Sequence, residues 1–551
     1  MAQIPADYRQ LKASERTLRA GAKRTGSANP NEILSVSVHV RRRSDAPALP
    51  DLAFATATPR RGKPHLSREE FAVRYGASED DLAKIATFAA ANGLSVVESS
   101  IPRRTIILNG TVAQMNKAFA VDLGTYETPD EKYRGREGPL YLPVTIIDIV
   151  EGVFGLDNRK MVKPHITMSR RTADAVSTNG TMFMTPPQVA QLYNFPTWPA
   201  TGQTIGILAF EGGFLEKDVQ LYFDSLGMPA PSIVLVSIDN QQNTGTFNQE
   251  PTLDIAVAGS AAPGARLVLY NAPNNENGWF DSVTYAIHDA AHTPSVISIS
   301  YGLAELEQAG SLDWTKANIQ SVSVAFQEAA LLGVTVLASS GDQGSQAKQK
   351  DGKAHVEYPA SDPYVTAVGG TSISNVSGSN FTEFIWKNTP DFVGAGATGG
   401  GISDVFPLPP WQSFARIPGS VNDGHNGRGV PDIAGNADGD SGYVIYVNGG
   451  PTTKAIGGTS VSTPLYAALV ALLNAGLGES IGYLNPTLYA GPNYVFRDIA
   501  DGQSNSWSGS PGYFSGPGWD ACTGLGVVNG LALKYALQGG PDAILPLLLN
   551  T

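Results

Sequence analysis

Between residues 203 and 368, the chain alternates short apolar runs, rich in β-branched residues, with longer segments of helical periodicity. Uninterrupted apolar runs are typical of strands buried on both faces, and the helices between them are typical of crossovers joining parallel strands. We therefore predict an α/β domain with a parallel sheet, whose functional groups gather at the carboxyl ends of the strands. The predicted strands are 203–210, 233–238, 265–270, 296–300, 334–338 and 364–368, and the predicted helices are 215–226, 252–261, 280–291 and 319–332.

The first 157 residues, called the front domain below, show a different order of one strand, two helices, a second strand and a third helix. Ser67 with Glu70 three residues later has the form of a capping box at the start of the first helix. Strands and helices that each form one layer indicate a small α+β domain. The expected elements are strand 32–40, helices 67–75 and 79–92, strand 105–108, helix 112–120 and an extended stretch at 121–126.

Residues 158–184 are largely polar and basic, and they include the pair Arg170-Arg171. Such a segment is expected to be an exposed linker of the kind that proteases cut. The remaining residues, 185–551, form the larger domain, called the body below. Three units are therefore predicted, with boundaries at 157/158 and 184/185.

Composition excludes several classes of protein. Of 551 residues, 42% are hydrophobic and 16% are charged, which is globular and not disordered. The single cysteine, Cys522, excludes an internal disulfide, a thiolate zinc site and an iron–sulfur cluster. No apolar run approaches the ~20 residues of a membrane helix, and the first residues lack the apolar region of a secretory signal. We expect no membrane association.

Charge divides the chain into two unequal parts. Residues 1–171 carry 26 Lys and Arg against 19 Asp and Glu, whereas residues 172–551 carry 12 against 31. A nucleic-acid-binding protein has a basic patch on its functional domain, so the acidic body argues against nucleic acid as a partner. A basic front domain and an acidic body are complementary surfaces for each other. A charge imbalance facing only water is the alternative.

The motif Gly457-Gly458-Thr459-Ser460 precedes a helix predicted over 465–473. Free N–H groups and the positive end of a helix favour a nucleophile and a developing oxyanion, so Ser460 is a candidate nucleophile. The alternative is a simple N-cap. Pro464 suits the first turn of the helix.

A serine nucleophile needs a base, and histidine is the usual one. The body contains only His288, His292, His355 and His425, and none has the sequence context of a subtilisin-type base. A metal site at His288 and His292 lacks the accompanying glutamate of metalloproteases. We therefore turned to carboxylates as candidate bases.

Glu250 and Asp254 are four residues apart at the start of a predicted helix and so lie on one face. Like charges at this spacing repel, and one of the two binds its proton more tightly. Asp342 lies between glycines shortly after a predicted strand, near the expected site. The alternatives are helix-start acids that face water and a turn aspartate. Asp498 and Asp520, with a glycine-rich loop between them, are a weak pattern for a hard cation such as Ca²⁺.

Long stretches of the sequence resemble the sedolisin family of serine-carboxyl peptidases. They include LDIAVAGSAAPGARLVLYNAPN, LGVTVLASSGDQGS, GRGVPDIAGNAD, IGGTSVSTPLYAALVALLN and GPGWDACTGLG in the body, and FAVRYGASEDDLAKIATFAAANGL in the front domain. The resemblance covers nearly the whole chain. It implies a subtilisin-like parallel-sheet catalytic domain preceded by an α+β activation prodomain of the ferredoxin-like type.

The resemblance also implies roles for individual residues. Ser460 would be the nucleophile, Glu250 the general base and later acid, Asp254 the residue that orients Glu250, and Asp342 the oxyanion stabiliser. The implied Ca²⁺ site would use the side chains of Asp498 and Asp520 and the carbonyls of Ile499, Gly516 and Gly518. Glu211 would belong to a hydrogen-bond network, and Glu357 would lie near the substrate.

Two positions depart from the family pattern. Tyr301 stands where similar sequences often have tryptophan, and Thr252 stands where they can have glutamate between the two triad carboxylates. These departures affect the outer proton network and leave the triad intact.

The implied function is an acid-acting serine-carboxyl endopeptidase made as a self-processing proenzyme. Its partners would be protein or peptide substrates and its own prodomain as an inhibitor, and a monomer is the simplest expectation. A tripeptidyl-peptidase, a catalytically inactive peptide-binding relative, a histidine-based protease and a calcium-dependent adhesion module are the alternatives. The family implies extracellular action, although no signal peptide is visible in the sequence.

Overall fold

The structure is a computed structural model that describes residues 4–51, 65–172, 183–246, 249–306, 314–392 and 394–539. Its helices are α1 (Arg68–Tyr75), α2 (Glu79–Ala91), α3 (Val112–Ala118), α4 (Pro186–Leu192), α5 (Glu216–Ser225), α6 (Gln249–Ala261), α7 (Glu276–His288), α8 (Lys316–Leu332), α9 (Thr459–Leu477), α10 (Asn485–Ala490) and α11 (Gly530–Leu537).

The strands of the front domain and linker are β1 (Tyr8–Gln10), β2 (Lys23–Ser27), β3 (Ile33–Val40), β4 (Ser95–Ser100), β5 (Thr105–Thr111), β6 (Gly124–Glu127), β7 (Lys132–Gly135), β8 (Tyr141–Pro143), β9 (Val150–Phe154), β10 (Lys163–Pro164) and β11 (Thr167–Thr172). The strands of the body are β12 (Thr204–Phe210), β13 (Ser232–Ser237), β14 (Arg266–Ala272), β15 (Val296–Ile299), β16 (Tyr301–Ala304), β17 (Thr335–Ser339), β18 (Glu357–Tyr358), β19 (Thr366–Ser377), β20 (Asn380–Ile385), β21 (Gly401–Ile402), β22 (Gly429–Val430), β23 (Ile433–Asn436), β24 (Tyr446–Val447), β25 (Gly450–Pro451), β26 (Lys454–Gly457), β27 (Phe496–Arg497) and β28 (Val527–Val528).

The front domain is built on an antiparallel sheet in the order β4-β5-β3-β9. With α1 and α2 between β3 and β4 and α3 after β5, this order is the ferredoxin-like arrangement, which confirms the prediction. The capping box of Ser67 and Glu70 is present at α1. Along β3, Val36, Val38 and Val40 face the core of the front domain, and the residues between them face the other way.

The body is built on a ten-stranded sheet in the order β13-β14-β12-β15-β17-β19-β23-β28-β27, with β20 paired to β19. All neighbours from β13 to β28 are parallel, whereas β20 and β27 are antiparallel to their neighbours. This confirms the predicted parallel sheet. Helices α6 and α9 pack on one face, and α7 and α8 pack on the other. The strands and helices expected between residues 203 and 368 lie within a few residues of those observed, except that β19 continues nine residues beyond its predicted end at 368.

Helix α9 begins at Thr459, six residues before the predicted start, and ends at Leu477. Pro464 therefore lies in the second turn and not in the first, so that prediction was wrong. Its missing N–H leaves the carbonyl of Ser460 without its helical donor, and the hydroxyl of Ser300 approaches that carbonyl at 3.5 Å. The helix is long and apolar enough to span a membrane by length and composition, but 83% of its window is buried against the sheet.

The front domain packs on α7 and α8 through ion pairs that join the two halves of the chain. Glu328 on α8 is contacted by Arg42 and Arg104 of the front domain and by His288 of the body. Arg103 lies 3.7 Å from Asp281 on α7. These contacts support the complementarity expected from the charge division. The predicted boundaries at 157/158 and 184/185 stay predictions, and residues 173–182 of the linker lie outside the described residues.

Candidate active site

The carboxyl ends of four adjacent parallel strands, β14, β12, β15 and β17, meet at one edge of the sheet. Glu211 follows β12, Ser300 follows β15 and Asp342 follows β17 within three residues. Helix α9 begins at the same edge and brings Ser460 there. The site thus lies where the topology predicts it, because parallel strands place all their carboxyl ends together.

Ser460 is the second residue of α9 and is fully buried. Its hydroxyl donates to the carbonyl oxygen of Ser300 at 3.1 Å. Gly458, which directly precedes α9, has a φ of 108°, in the region that favours glycine. A Cβ at Gly458 would lie 2.0 Å from the carbonyl oxygen of His165, so only glycine allows this linker residue to approach.

Glu250 and Asp254 lie one turn apart on α6, which packs against α9. Asp254 Oδ1 accepts from the Ser300 hydroxyl at 2.7 Å, whereas both Glu250 carboxyl oxygens are buried without a hydrogen-bond partner among the described residues. Burial raises the pKa of both carboxyl groups, and the neighbouring charge of Asp254 raises the pKa of Glu250 further. The hydroxyls of Ser460 and Ser300 act in the opposite direction on the pKa of Glu250.

Asp342 is hydrogen-bonded to Thr459, the residue that precedes Ser460. Asp342 Oδ1 accepts from the backbone N–H of Thr459 at 2.8 Å and from its hydroxyl at 2.9 Å. Oδ2 has no partner among the described residues. Burial raises the pKa of Asp342, although His165 and the Thr459 hydrogen bonds lower it. With both donors on Oδ1, the proton of the neutral acid belongs on Oδ2, which then becomes a free donor.

The linker crosses this site as an extended strand. Lys163 and Pro164 pair antiparallel with Gly302 and Tyr301 of β16. The N–H of His165 donates to the carbonyl of Ser300 at 3.1 Å, and its carbonyl oxygen accepts from the N–H of Ser460 at 3.1 Å. The carbonyl of His165 thus accepts an N–H from the first turn of a helix, in the residue that carries the Ser460 hydroxyl, and such N–H groups stabilise negative charge on oxygen.

The side chain of His165 fills a pocket beneath β18. Its Nε2 lies 2.6 Å from Glu357 Oε2, and its Nδ1 lies 2.6 Å from the Ser339 hydroxyl. All three residues are buried. Burial would raise the pKa of Glu357, but the charge and hydrogen bond of His165 hold it below its usual range. Glu357 is therefore the acidic group in contact with the linker side chain next to Ser460.

A cavity of about 450 Å³ separates the linker from the body, and Glu250, Glu211 and Tyr301 line it. Glu211 pairs with Lys160 of the linker at 2.8 Å and has a φ of 64°, an uncommon conformation for a residue with a side chain. The other departure from the family pattern, Thr252, is also buried, on α6 between the two carboxylates. Both departures thus lie beside the candidate carboxylates Glu250 and Asp254.

The residues implied for Ca²⁺ lie together in the loops around 498 and 520. Asp498 Oδ2 accepts from the N–H of Gly518 at 2.8 Å, and Asp520 Oδ2 accepts from the N–H of Gly516 at 3.1 Å. Burial raises the pKa of Asp520 to about 6. Two carboxylates, one of them buried, fit a hard-cation site. They number fewer than three, and no group of three or more such ligands occurs among the described residues.

Sequence reasoning missed two residues of the site. Ser300 joins Asp254 to the Ser460 backbone, and its only signal was its position as the last residue of the predicted strand 296–300. His165 was placed in an exposed linker, yet it is fully buried. None of the seven histidine side chains, all of them within the described residues, is hydrogen-bonded to Ser460.

Two family sequence models match the chain: "Pro-kumamolisin, activation domain" over residues 20–159 and "Subtilase family" over residues 232–484. Kumamolisin from Bacillus sp. is 43% identical over 93% of both chains. Tripeptidyl-peptidase sed5 from Aspergillus fumigatus is 32% identical over 94% of this chain and 96% of its own. A solved structure of Pseudomonas sedolisin, a serine-carboxyl proteinase in complex with pseudo-iodotyrostatin, aligns with a TM-score of 0.56 and 28% identity, covering 66% of this chain and 100% of that one. This protein is a serine peptidase with an activation prodomain, and it belongs to the sedolisin family.

Proposed function

We propose that the chain is an acid-acting endopeptidase made as a proenzyme that first cuts itself between His165 and Ile166. One observation carries the proposal: the carbonyl oxygen of His165 accepts the N–H of Ser460 while the surrounding linker pairs as a strand with β16. Substrate held in this way presents its carbonyl carbon to the serine hydroxyl in a defined orientation, and such positioning contributes much of the rate enhancement.

In the proposed first half-reaction, Ser460 Oγ bonds to the carbonyl carbon as its proton passes to Glu250. Glu250 then gives this proton to the departing amine nitrogen of Ile166, the C–N bond breaks and an acyl-enzyme remains. In the second half-reaction Glu250 takes a proton from water, whose oxygen bonds to the acyl carbon. The bond between this carbon and Ser460 Oγ then breaks, the proton returns to Ser460 Oγ, and the new C-terminal carboxylic acid leaves. The hydroxyl of Ser460 must rotate from Ser300 to reach Glu250, and such catalytic contacts often tighten only with substrate.

The negative charge on the former carbonyl oxygen needs donors. The N–H of Ser460 and the protonated Oδ2 of Asp342 are proposed to supply them. A deprotonated Asp342 would repel the oxyanion, so activity is expected to fall as pH rises through the raised pKa of Asp342. The ordinary pKa of a carboxyl group is lower than that of histidine, and burial and Asp254 raise the pKa of Glu250 above that ordinary value.

Endopeptidase action is favoured over tripeptidyl release by the course of the linker before His165. A tripeptidyl-peptidase binds three residues before the scissile bond, ending in a free amine. Here the chain continues beyond Lys163: the amides of Met161 and Val162 donate to Asn274 Oδ1 at 2.9 and 3.0 Å, and its side-chain amide donates to the carbonyl of Val162 at 2.8 Å. The cleft therefore accepts a chain that extends past the third residue.

Glu357 is proposed to select a basic or protonated side chain at the residue before the scissile bond, since its carboxylate closes the pocket that His165 fills. We further propose that the front domain inhibits the body until acid releases it, and that the mature enzyme acts outside the cell as a monomer. Asp498 and Asp520, with carbonyls of Ile499, Gly516 and Gly518, would hold Ca²⁺, which neutralises their charge. A chelator is then expected to lower the melting temperature.

The deciding experiment shifts the purified full-length chain from pH 7.5 to pH 4 and follows its mass beside Ser460→Ala. The wild type should lose its first 165 residues in the initial cut, and the variant should stay intact. Cleavage of both at the same bond would reject Ser460 as the nucleophile. If neither is cut, and the wild type has no activity on a denatured protein at pH 4, the inactive-relative alternative is favoured.

A further inference from the structure

The linker keeps contacts with the body for several residues after the proposed scissile bond. Thr167 and Met168 pair antiparallel with Gly457 and Ile456 of β26. On the opposite side, the N–H of Met168 donates to the carbonyl of Gly394 at 3.2 Å. The cleft therefore continues as a channel between β26 and the loop that contains Gly394, which holds the backbone in one register.

Asp440 fixes the next two residues of the linker. Its Oδ1 accepts from the hydroxyl of Ser169 at 2.7 Å and from the backbone N–H of Arg170 at 3.2 Å. Asp440 is itself held in place, because its N–H donates to Asp438 Oδ1 at 3.1 Å. The fifth residue after the scissile bond thus reaches a defined position on the body.

At that position, three body residues surround the guanidinium of Arg170. Its Nη2 donates to Asp391 Oδ1 at 2.8 Å and to the hydroxyl of Thr389, which also donates to Asp391 Oδ1 at 2.8 Å. The guanidinium carbon lies 4.4 Å from the centre of the Phe392 ring. A planar cation with several donors meets both the carboxylate and the ring face, a combination that arginine makes better than lysine.

We propose that Thr389, Asp391 and Phe392 form a substrate subsite that selects arginine at the fifth residue after the scissile bond. This inference rests on the proposed cut between His165 and Ile166 and extends it to external substrates. Its effect is modest, because Arg170 and Asp391 keep 42% and 66% of their side-chain surfaces exposed and water screens their attraction. A gain of about fivefold to twentyfold in kcat/KM is expected for the ion pair and the ring contact together.

The test uses two quenched fluorescent peptides that span residues 160–172 and carry Arg171→Ala, so that only one arginine follows the scissile bond. One peptide retains Arg170 and the other carries Arg170→Ala. Both are cut by the acid-activated full-length enzyme, and by its variants Asp391→Ala, Phe392→Leu and Asp224→Ala. Asp224 is an exposed acid on α5 whose carboxylate has a hydrogen bond only from Gln220 among the contacts described, so it serves as the matched control.

Wild type and Asp224→Ala should prefer the arginine peptide about fivefold to twentyfold, and Asp391→Ala should reduce this preference to below about twofold with little change on the alanine peptide. Phe392→Leu should give an intermediate preference. Equal cleavage of both peptides by the wild type would overturn the subsite but leave the proposed peptidase intact. If neither peptide is cut at His-Ile, the proposed function fails and the subsite fails with it.

Discussion

Two groups of buried carboxylates in this protein have opposite electrostatic surroundings. In the active site, Glu250, Asp254 and Asp342 face hydroxyls and backbone amides, and burial raises the pKa of each. At the contact between the domains, Glu328 is equally buried, but His288, Arg104 and Arg42 outweigh burial and lower its pKa to about 2. The same residue type is thus prepared to carry protons in one region and to remain charged in the other.

The buried carboxylates at the domain contact determine how acid changes the stability of that contact. The lowered pKa of Glu328 gives stability that is complete above the unfolded value near 4.5 and is lost as pH falls toward 2. Asp239 and Asp281, also at the domain contact, have raised pKa values, chiefly through burial, so acid strengthens the contact there. Protonation of carboxylates alone therefore explains poorly how mild acid would release the basic front domain from the acidic body.

His39 supplies the missing dependence. It lies on β3 with its ring 5.0 Å from that of Phe280 on α7. Neither ring nitrogen has a hydrogen-bond partner among the described residues, although Nε2 lies 3.4 Å from Glu151 Oε2 of the same domain. Burial, together with the charges of Arg104 and Arg42, holds its pKa well below 6.5, although Glu328 acts in the other direction. Below about pH 6.5, His39 binds a proton once the front domain is released and its ring is hydrated, whereas the docked His39 stays neutral. Acid therefore favours release.

The largest expected effect comes from removing the charge on which the contact between the domains depends. Glu328→Gln leaves Arg42 and Arg104 buried beside an uncharged amide, and the proenzyme should lose about 3 kcal/mol of unfolding free energy at pH 7.5. Chemical denaturation measures it, with the exposed Asp224→Asn as the control. A loss below about 1 kcal/mol would show that the contact does not depend on this charge.

The next effect tests the opposite surroundings in the active site. Asp342→Ala should reduce kcat/KM at pH 4 by about 100-fold to 1,000-fold, because one oxyanion donor is lost. Asp342→Asn keeps a donor at every pH, so it should retain far more activity and shift the alkaline limb of the pH profile upward. An Asn variant whose alkaline limb coincides with that of the wild type would assign this limb to another group.

The smallest effect concerns His39. Asn cannot be protonated, so in His39→Asn self-processing should slow by about threefold to tenfold at pH 5.5, and the difference should be no smaller at pH 4, because proton uptake by the released His39 favours release more as pH falls. Mass spectrometry of timed samples measures both rates. Equal rates at pH 5.5 would show that His39 does not contribute to the acid response, which would then depend on the remaining groups of the domain contact.

Much of the fold could be predicted because its signals are local. The capping box at Ser67, the strands of the parallel sheet and a serine at the start of α9 each depend on neighbours in sequence. Ser300 and His165 could not be found this way. Ser300 matters only because α6, β15 and α9 converge, and His165 only because the linker enters the cleft in one register.

The sequence by itself determined which residues are candidates for the chemistry, since the motifs around Glu250, Asp342 and Ser460 are contiguous stretches of chain. Tertiary structure alone decided their protonation and what they face. A pKa depends on burial and on charges brought from far along the chain, such as Arg42 to Glu328 across 286 positions. A sequence pattern a few residues long contains no information on whether folding will exclude water from a side chain or which distant charges will contact it.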